Sequence, residues 1–155
     1  MSSSNPYKQN QDAYLTNPHI LGLRHCHFFS VCDGHGTNGR EVSGFLKENL
    51  PLNIESSLIS NGVNQINNLY PDYHQMKKSL REAFSHTNDM INQTSGIDVR
   101  FSGSTCVSVI TYGNKIYVAN VGDSRAILIR KGQDDDLFEV AALTRDHKPD
   151  DSLEA

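Results

Sequence analysis

Thr105-Cys106-Val107-Ser108-Val109-Ile110-Thr111 runs through Tyr112-Gly113-Asn114 into Ile116-Tyr117-Val118-Ala119-Asn120-Val121. The flanking runs are β-branched and alternating, as half-buried strands are. The Tyr-Gly-Asn centre is a hairpin turn signal. Two antiparallel strands are therefore predicted here. Gly122-Asp123-Ser124 turns the chain again, into Ala126-Ile127-Leu128-Ile129. A charged turn from Lys131-Gly132 to Asp136 leads to a last strand, Phe138 to Leu143.

Upstream the period changes. A strand is predicted at Ala13-Tyr14-Leu15 and another at His27-Phe28-Phe29-Ser30-Val31. The second runs into a polar, glycine-rich turn, Cys32 to Gly39. Val42, Phe45, Leu46 and Asn49 have helical spacing, and Pro51 is expected to limit that helix. Leu52 to Asp72 is polar and Asn-rich, with room for a short helix. From Gln75 to Gln93, Met76, Leu80, Ala83, Phe84, Thr87 and Ile91 mark one face of a long amphipathic helix, with Gly96 as its stop. Two helices followed by consecutive antiparallel strands indicate an α+β domain, not alternating βαβ units.

The chain has 155 residues, enough for one domain and a core without disulfide staples. Fourteen Lys and Arg oppose 18 Asp and Glu, for a net charge of −4, which argues against nucleic acid as a partner. No stretch approaches the ~20 apolar residues of a membrane helix, so no membrane association is expected. Met1 to Pro6 lacks an apolar signal region. Residues 1–7 are expected to be flexible. An odd cysteine count, Cys26, Cys32 and Cys106, without secretory features predicts free thiols in a reducing compartment, cytoplasmic or nuclear.

Four polar segments carry residues able to do chemistry. Asp33-Gly34-His35-Gly36 brings a carboxylate and an imidazole to the end of a predicted strand. A carboxylate suits Mg²⁺ or Mn²⁺, glycines let backbone carbonyls approach an ion, and His handles protons near neutral pH. An Asx turn before a helix explains the same residues equally well. Gln11-Asp12, read alone, is a solvated loop pair. Asp123 in Gly122-Asp123-Ser124-Arg125, read alone, is turn chemistry with Arg125 as its ion-pair partner. Thr144-Arg145-Asp146-His147-Lys148-Pro149 reads as an exposed polar loop.

Taken in order, these segments form a pattern. Lys8 with Asn10-Gln11-Asp12-Ala13 precedes Phe28-Phe29-Ser30-Val31-Cys32-Asp33-Gly34-His35-Gly36. Ser102-Gly103-Ser104-Thr105, then Val118-Ala119-Asn120-Val121-Gly122-Asp123-Ser124-Arg125-Ala126, then Leu143-Thr144-Arg145-Asp146-His147-Lys148-Pro149 follow. The sequence resembles the metal-dependent serine/threonine protein phosphatases of type 2C, from about Lys8 to Pro149, nearly the whole chain.

The resemblance implies two antiparallel β-sheets packed face to face between outer helices, in α-β-β-α layers. It implies a binuclear Mg²⁺ or Mn²⁺ centre between the sheets. Asp33 would bridge the ions, the Gly34 carbonyl would ligate one, and Asp123 would serve a third, weaker position. A metal-activated water would attack phosphorus in line, and His35 would protonate the departing serine or threonine oxygen. Asp12 and Gln11 would hold waters in the outer shell. Gln11 stands where the animal enzymes carry Glu. Lys8 is the nearest cation to the position of the family's phosphate-gripping Arg, and would act as a point charge.

The family also uses two later aspartates, in Asp-Gly and Asp-Asn contexts, and residues after Pro149 do not supply them. Residues 1–155 are accordingly read as the N-terminal portion of a type 2C catalytic domain, its layers incomplete. Phosphoprotein substrates, a monomeric complete domain and little activity of this chain alone are expected. The rival reading is a non-catalytic interaction module.

Overall fold

The computed structural model describes residues 9–63, 71–94, 96–132 and 137–148. β1 (Asp12–Asn17), a 3₁₀ turn (Ile20–Gly22) and β2 (Cys26–Gly36) are followed by α1 (Gly39–Ser60) and α2 (Tyr73–Thr94). Then come β3 (Ser102–Ser104), β4 (Cys106–Tyr112), β5 (Lys115–Val121), β6 (Ile127–Lys131) and β7 (Phe138–Ala142). The predicted hairpin is β4–β5, with Tyr112 facing Lys115 across the Gly113-Asn114 turn. One antiparallel sheet has the order β1-β2-β4-β5, with β3 added beside the end of β2, and β6 and β7 form a second, two-stranded sheet. The architecture is α+β, as expected.

The sheet's pleat decides what is covered. On β2, Cys26, Phe28, Ser30 and Cys32 are buried, while Phe29, Val31, Asp33 and His35 are exposed. Both helices lie against the first set. Met76, Leu80 and Ala83 of α2 and Leu50, Ile54 and Leu58 of α1 join Phe28, Ile110 and Tyr112 in one core. The opposite face keeps Tyr14, Phe29 and Val31 in solvent. Ile127 and Ile129 of β6, and Phe138 and Val140 of β7, are exposed as well.

Pro51 does not end α1, which continues to Ser60. An interior proline costs a helix roughly 3 kcal/mol. Leu50, Ile54 and Leu58 recur every fourth residue, and burying each contributes roughly 1.5–3 kcal/mol, so their sum outweighs the break. α2 matches its predicted span within two residues at the start and one at the end. The charged turn ending at Asp136 falls largely on residues 133–136, outside the described residues.

The three cysteines are free thiols, and all are buried. Burial, with Glu55 nearby, pushes Cys26 up to about 12. A hydrogen bond from Cys32, helped by Ser30 and Ser108 against the effect of burial, draws Cys106 downward. The same bond, and then burial, pushes Cys32 upward.

Candidate active site

The register of β1 and β2 places Asp12 directly opposite Asp33. Directly paired residues of an antiparallel ladder share a face, with Cβ atoms about 4.5–5.5 Å apart. Two exposed carboxylates thus stand side by side on the face turned away from the helices. Like charges so placed repel, and a divalent cation between them would remove that cost.

Several contacts hold this corner. The Asp33 N–H donates to Thr105 Oγ1 at 3.0 Å, and the Asp33 carbonyl accepts from the Thr105 N–H at 2.9 Å. The Gly34 N–H donates to the Gln11 carbonyl at 3.2 Å. A Cβ on Gly34 would lie 2.2 Å from the Gly39 carbonyl oxygen and 2.5 Å from that of Gln11. Only glycine lets β1, β2 and the start of α1 meet there. The Gln11 side-chain amide donates to the Gly36 carbonyl at 2.7 Å, and Ser43 Oγ donates to the Gln11 carbonyl at 2.6 Å. Gln11 therefore ties the loop after His35 to β1. His35 pairs with Gly103 of β3, and its ring fills the space a Cβ on Gly103 would take. The ring borders a cavity of about 550 Å³ shared with Val42, Phe84 and Cys106.

The later motifs attach to this corner through Thr105. Its hydroxyl accepts from Asp33 and lies 2.6 Å from Ser124 Oγ, so its own hydrogen is available to Ser124. Gly122, at φ +96, leaves room for the Thr105 methyl group. Asp123 sits exposed in the turn between them. Arg125 does not pair with Asp123. It forks onto Asp146, with Nε and Nη2 donating at 2.9 and 2.6 Å. That guanidinium, with Lys148 nearby, holds the Asp146 carboxyl below the usual carboxylate range. The His147 N–H also donates to the Gly122 carbonyl at 3.0 Å. The segment from Thr144 to Lys148 is thus a strap bound to the Asp123 turn rather than a loose loop.

Asp12, Asp33, Gly34, His35 and Gln11 come together in one corner, and the turn bearing Asp123 is bonded to it. Lys8 lies outside the described residues. The paired carboxylates suit a hard divalent ion, but among the described residues no group of three His, Cys, Asp or Glu could hold a metal. A larger hollow, about 700 Å³, lies elsewhere, between α2 and β5, and is lined by Met76, Leu80, Phe84 and Val118. Sequence reasoning gave no role to Thr105, Ser124 or Ser43. Ser102-Gly103-Ser104-Thr105 did carry a signal, since a run of small residues marks backbone packed closely against a neighbour.

Comparison with known proteins places this corner in context. The chain is 37% identical over 136 residues to "Probable protein phosphatase 2C 35" of Arabidopsis thaliana, covering 86% of this chain and 35% of that protein. It is 32% identical over 167 residues to "Probable protein phosphatase 2C 73" of Oryza sativa subsp. japonica, covering 94% and 39%. The chain thus spans little more than a third of these relatives' length. A crystal structure of serine-threonine phosphatase 2C from Toxoplasma gondii shares the fold, with a TM-score of 0.79 at 22% identity over 95% of this chain and 48% of that one. The family model described as protein phosphatase 2C matches residues 4–155, all the elements that build the corner included, and the chain belongs to that family.

Proposed function

We propose that this chain is the N-terminal portion of a Mg²⁺- or Mn²⁺-dependent phosphatase that hydrolyses phosphoserine and phosphothreonine in proteins. The observation that carries the reading is the Asp12–Asp33 pair, two carboxylates on adjacent strands beside a glycine that admits no side chain. An ion bound there supplies charge neutralisation and activation of water. Asp33 contributes direct oxygen ligands from a backbone fixed by Thr105. Asp12 holds water at the rim. His35 donates a proton to the departing serine or threonine oxygen. Asp123 serves a weaker cation position, and Lys8 is the cation assigned to the phosphate, as a point charge. The remaining ligands come from outside the described residues, and the chain by itself hydrolyses little.

The test is a chimera in which residues 1–148 replace the matching part of the Arabidopsis relative. Mn²⁺-dependent phosphate release from a phosphothreonine peptide is expected, lost on Asp33→Asn. An inert chimera beside an active parent overturns the reading. Full activity of the isolated chain overturns the dependence on outside ligands.

The exposed Tyr14, Phe29 and Val31, and the β6–β7 hairpin, favour a second reading. In it the chain is an interaction module that docks a partner on this apolar face. Calorimetric titration with Mn²⁺ separates the two. Measurable binding that Asp33→Asn removes supports the phosphatase half-site, and no binding supports the module.

A further inference from the structure

Cys32 and Cys106 form a cross-strand pair. Val31 faces Val107 in the β2–β4 ladder, and the Thr105 N–H donates to the Asp33 carbonyl one step beyond. The intervening register sets Cys32 opposite Cys106. Because 33 and 105 share a backbone hydrogen bond, 32 and 106 occupy a non-hydrogen-bonded pair, where Cα atoms approach to about 4.5 Å. That lies at the short end of the range of roughly 4.4–6.8 Å that a disulfide bridges. Both side chains point to the helix-covered face. Cys106 Sγ also lies 3.4 Å from Ser30 Oγ and 3.5 Å from Ser108 Oγ.

The two sulfurs differ in access. Cys106 lines the cavity of about 550 Å³ that His35 borders. Cys32 does not line it and is fully buried. Cys26, also buried, faces Tyr112 across the ladder and has no thiol opposite. The molecule therefore carries one pair poised for bonding and one thiol that serves as an internal control.

We propose that Cys32 and Cys106 are a reversible oxidation site that closes to a cross-strand disulfide when a peroxide enters the cavity. The Cys106 sulfur attacks a peroxide oxygen. The O–O bond breaks, one water leaves and Cys106 becomes a sulfenic acid. The Cys32 sulfur then attacks the Cys106 sulfur. The S–O bond breaks, the S–S bond forms and a second water leaves. Over both steps two thiols lose their hydrogens and one peroxide is reduced to two waters. A dithiol reductant reverses the bond.

The full chain is treated with hydrogen peroxide, denatured, alkylated and weighed intact. One alkylated thiol is expected in place of three. Peptide mapping should show Cys32 joined to Cys106, with Cys26 alkylated, and dithiothreitol should restore all three. Peroxide treatment in urea should scramble the pairing. In Cys32→Ser a sulfenic acid should accumulate on Cys106 and react with dimedone, while Cys26→Ser should form the bond as the parent does. The parent's peptide map decides the matter even where a variant fails to fold. Three free thiols after peroxide, a bond to Cys26, or over-oxidation of Cys106 without a bond overturns the proposal. The outcome does not depend on phosphatase activity.

Discussion

Adjacent residues of β2 enter cross-strand pairs of opposite character. Cys32 meets Cys106 beneath the helices, out of water. Asp33 meets Asp12 on the open face, in water. A strand's period of two separates them, so one step along the chain exchanges a packed face for a charged, open one. The covered face carries the packing that makes the sheet stable. The open face holds charges whose repulsion the fold tolerates. The largest test of this contrast is a pair of neighbours. Phe28→Ala empties a fully buried site and should lower stability by about 3–5 kcal/mol. Phe29→Ala, next in sequence but 44% exposed, should cost less than about 1 kcal/mol. Urea midpoints of the two variants read the difference, and equal losses would mean that the open face is packed in solution.

The junction of the two faces is the next point to break. Gly34 lies where β1, β2 and the start of α1 converge, and a Cβ there meets two backbone carbonyl oxygens. Neither oxygen belongs to a flexible side chain, so the backbone must shift. Gly34→Ala should cost about 1–3 kcal/mol, as overpacking does, and displace Asp33 as well. Gly44→Ala, which meets nothing within 4 Å, is the matched control in α1. A urea midpoint shared by the two variants would show that the corner yields easily.

Much of the covered face is legible in the sequence. The spacing of Met76, Leu80, Ala83, Thr87 and Ile91 reports α2 because helical periodicity repeats over several turns. α1 was less legible. Pro51 is a local stop signal, and the burial of Leu50, Ile54 and Leu58 that overrides it depends on a sheet that local reading does not contain. The candidate site shows the same division. Asp33, Gly34 and His35 are contiguous and stand out as a motif. The pairing of Asp12 with Asp33 rests on strand register, and the hydrogen bonds of Thr105 to Asp33 and Ser124 span large sequence separations. Arg125 shows the limit most clearly. Asp123 is its near neighbour in sequence, yet the fold gives it Asp146.

The carboxylate pair itself offers a smaller effect with an unusual sign. Asp33→Asn removes one of two like charges facing each other, and should stabilise the metal-free chain by roughly 0.2–1 kcal/mol. If the pair is a cation half-site, the order reverses with Mn²⁺, because an ion that binds only the folded state stabilises it. Thermal midpoints of parent and variant, with and without Mn²⁺, give both comparisons. A variant less stable than the parent without metal would show that the repulsion is already relieved within the chain.

The smallest effect belongs to the Arg125–Asp146 ion pair. Arg125 is 59% exposed and Asp146 14%, so solvent screens much of the attraction. The clearer readout is titration. The Arg125 guanidinium lowers the folded-state pKa of Asp146 below its unfolded value. The pair's contribution is therefore fully present above the ordinary Asp range and is lost as pH falls through the lowered folded value. Arg125→Ala should move the Asp146 carboxyl resonance toward ordinary titration, with Lys148 retaining part of the shift from 3.7 Å away. It should also free the strap, so that the His147 N–H bonded to the Gly122 carbonyl exchanges faster with solvent. An unmoved titration would assign the lowering to Lys148. An unmoved exchange rate would mean that backbone contacts alone bind the strap to the Asp123 turn.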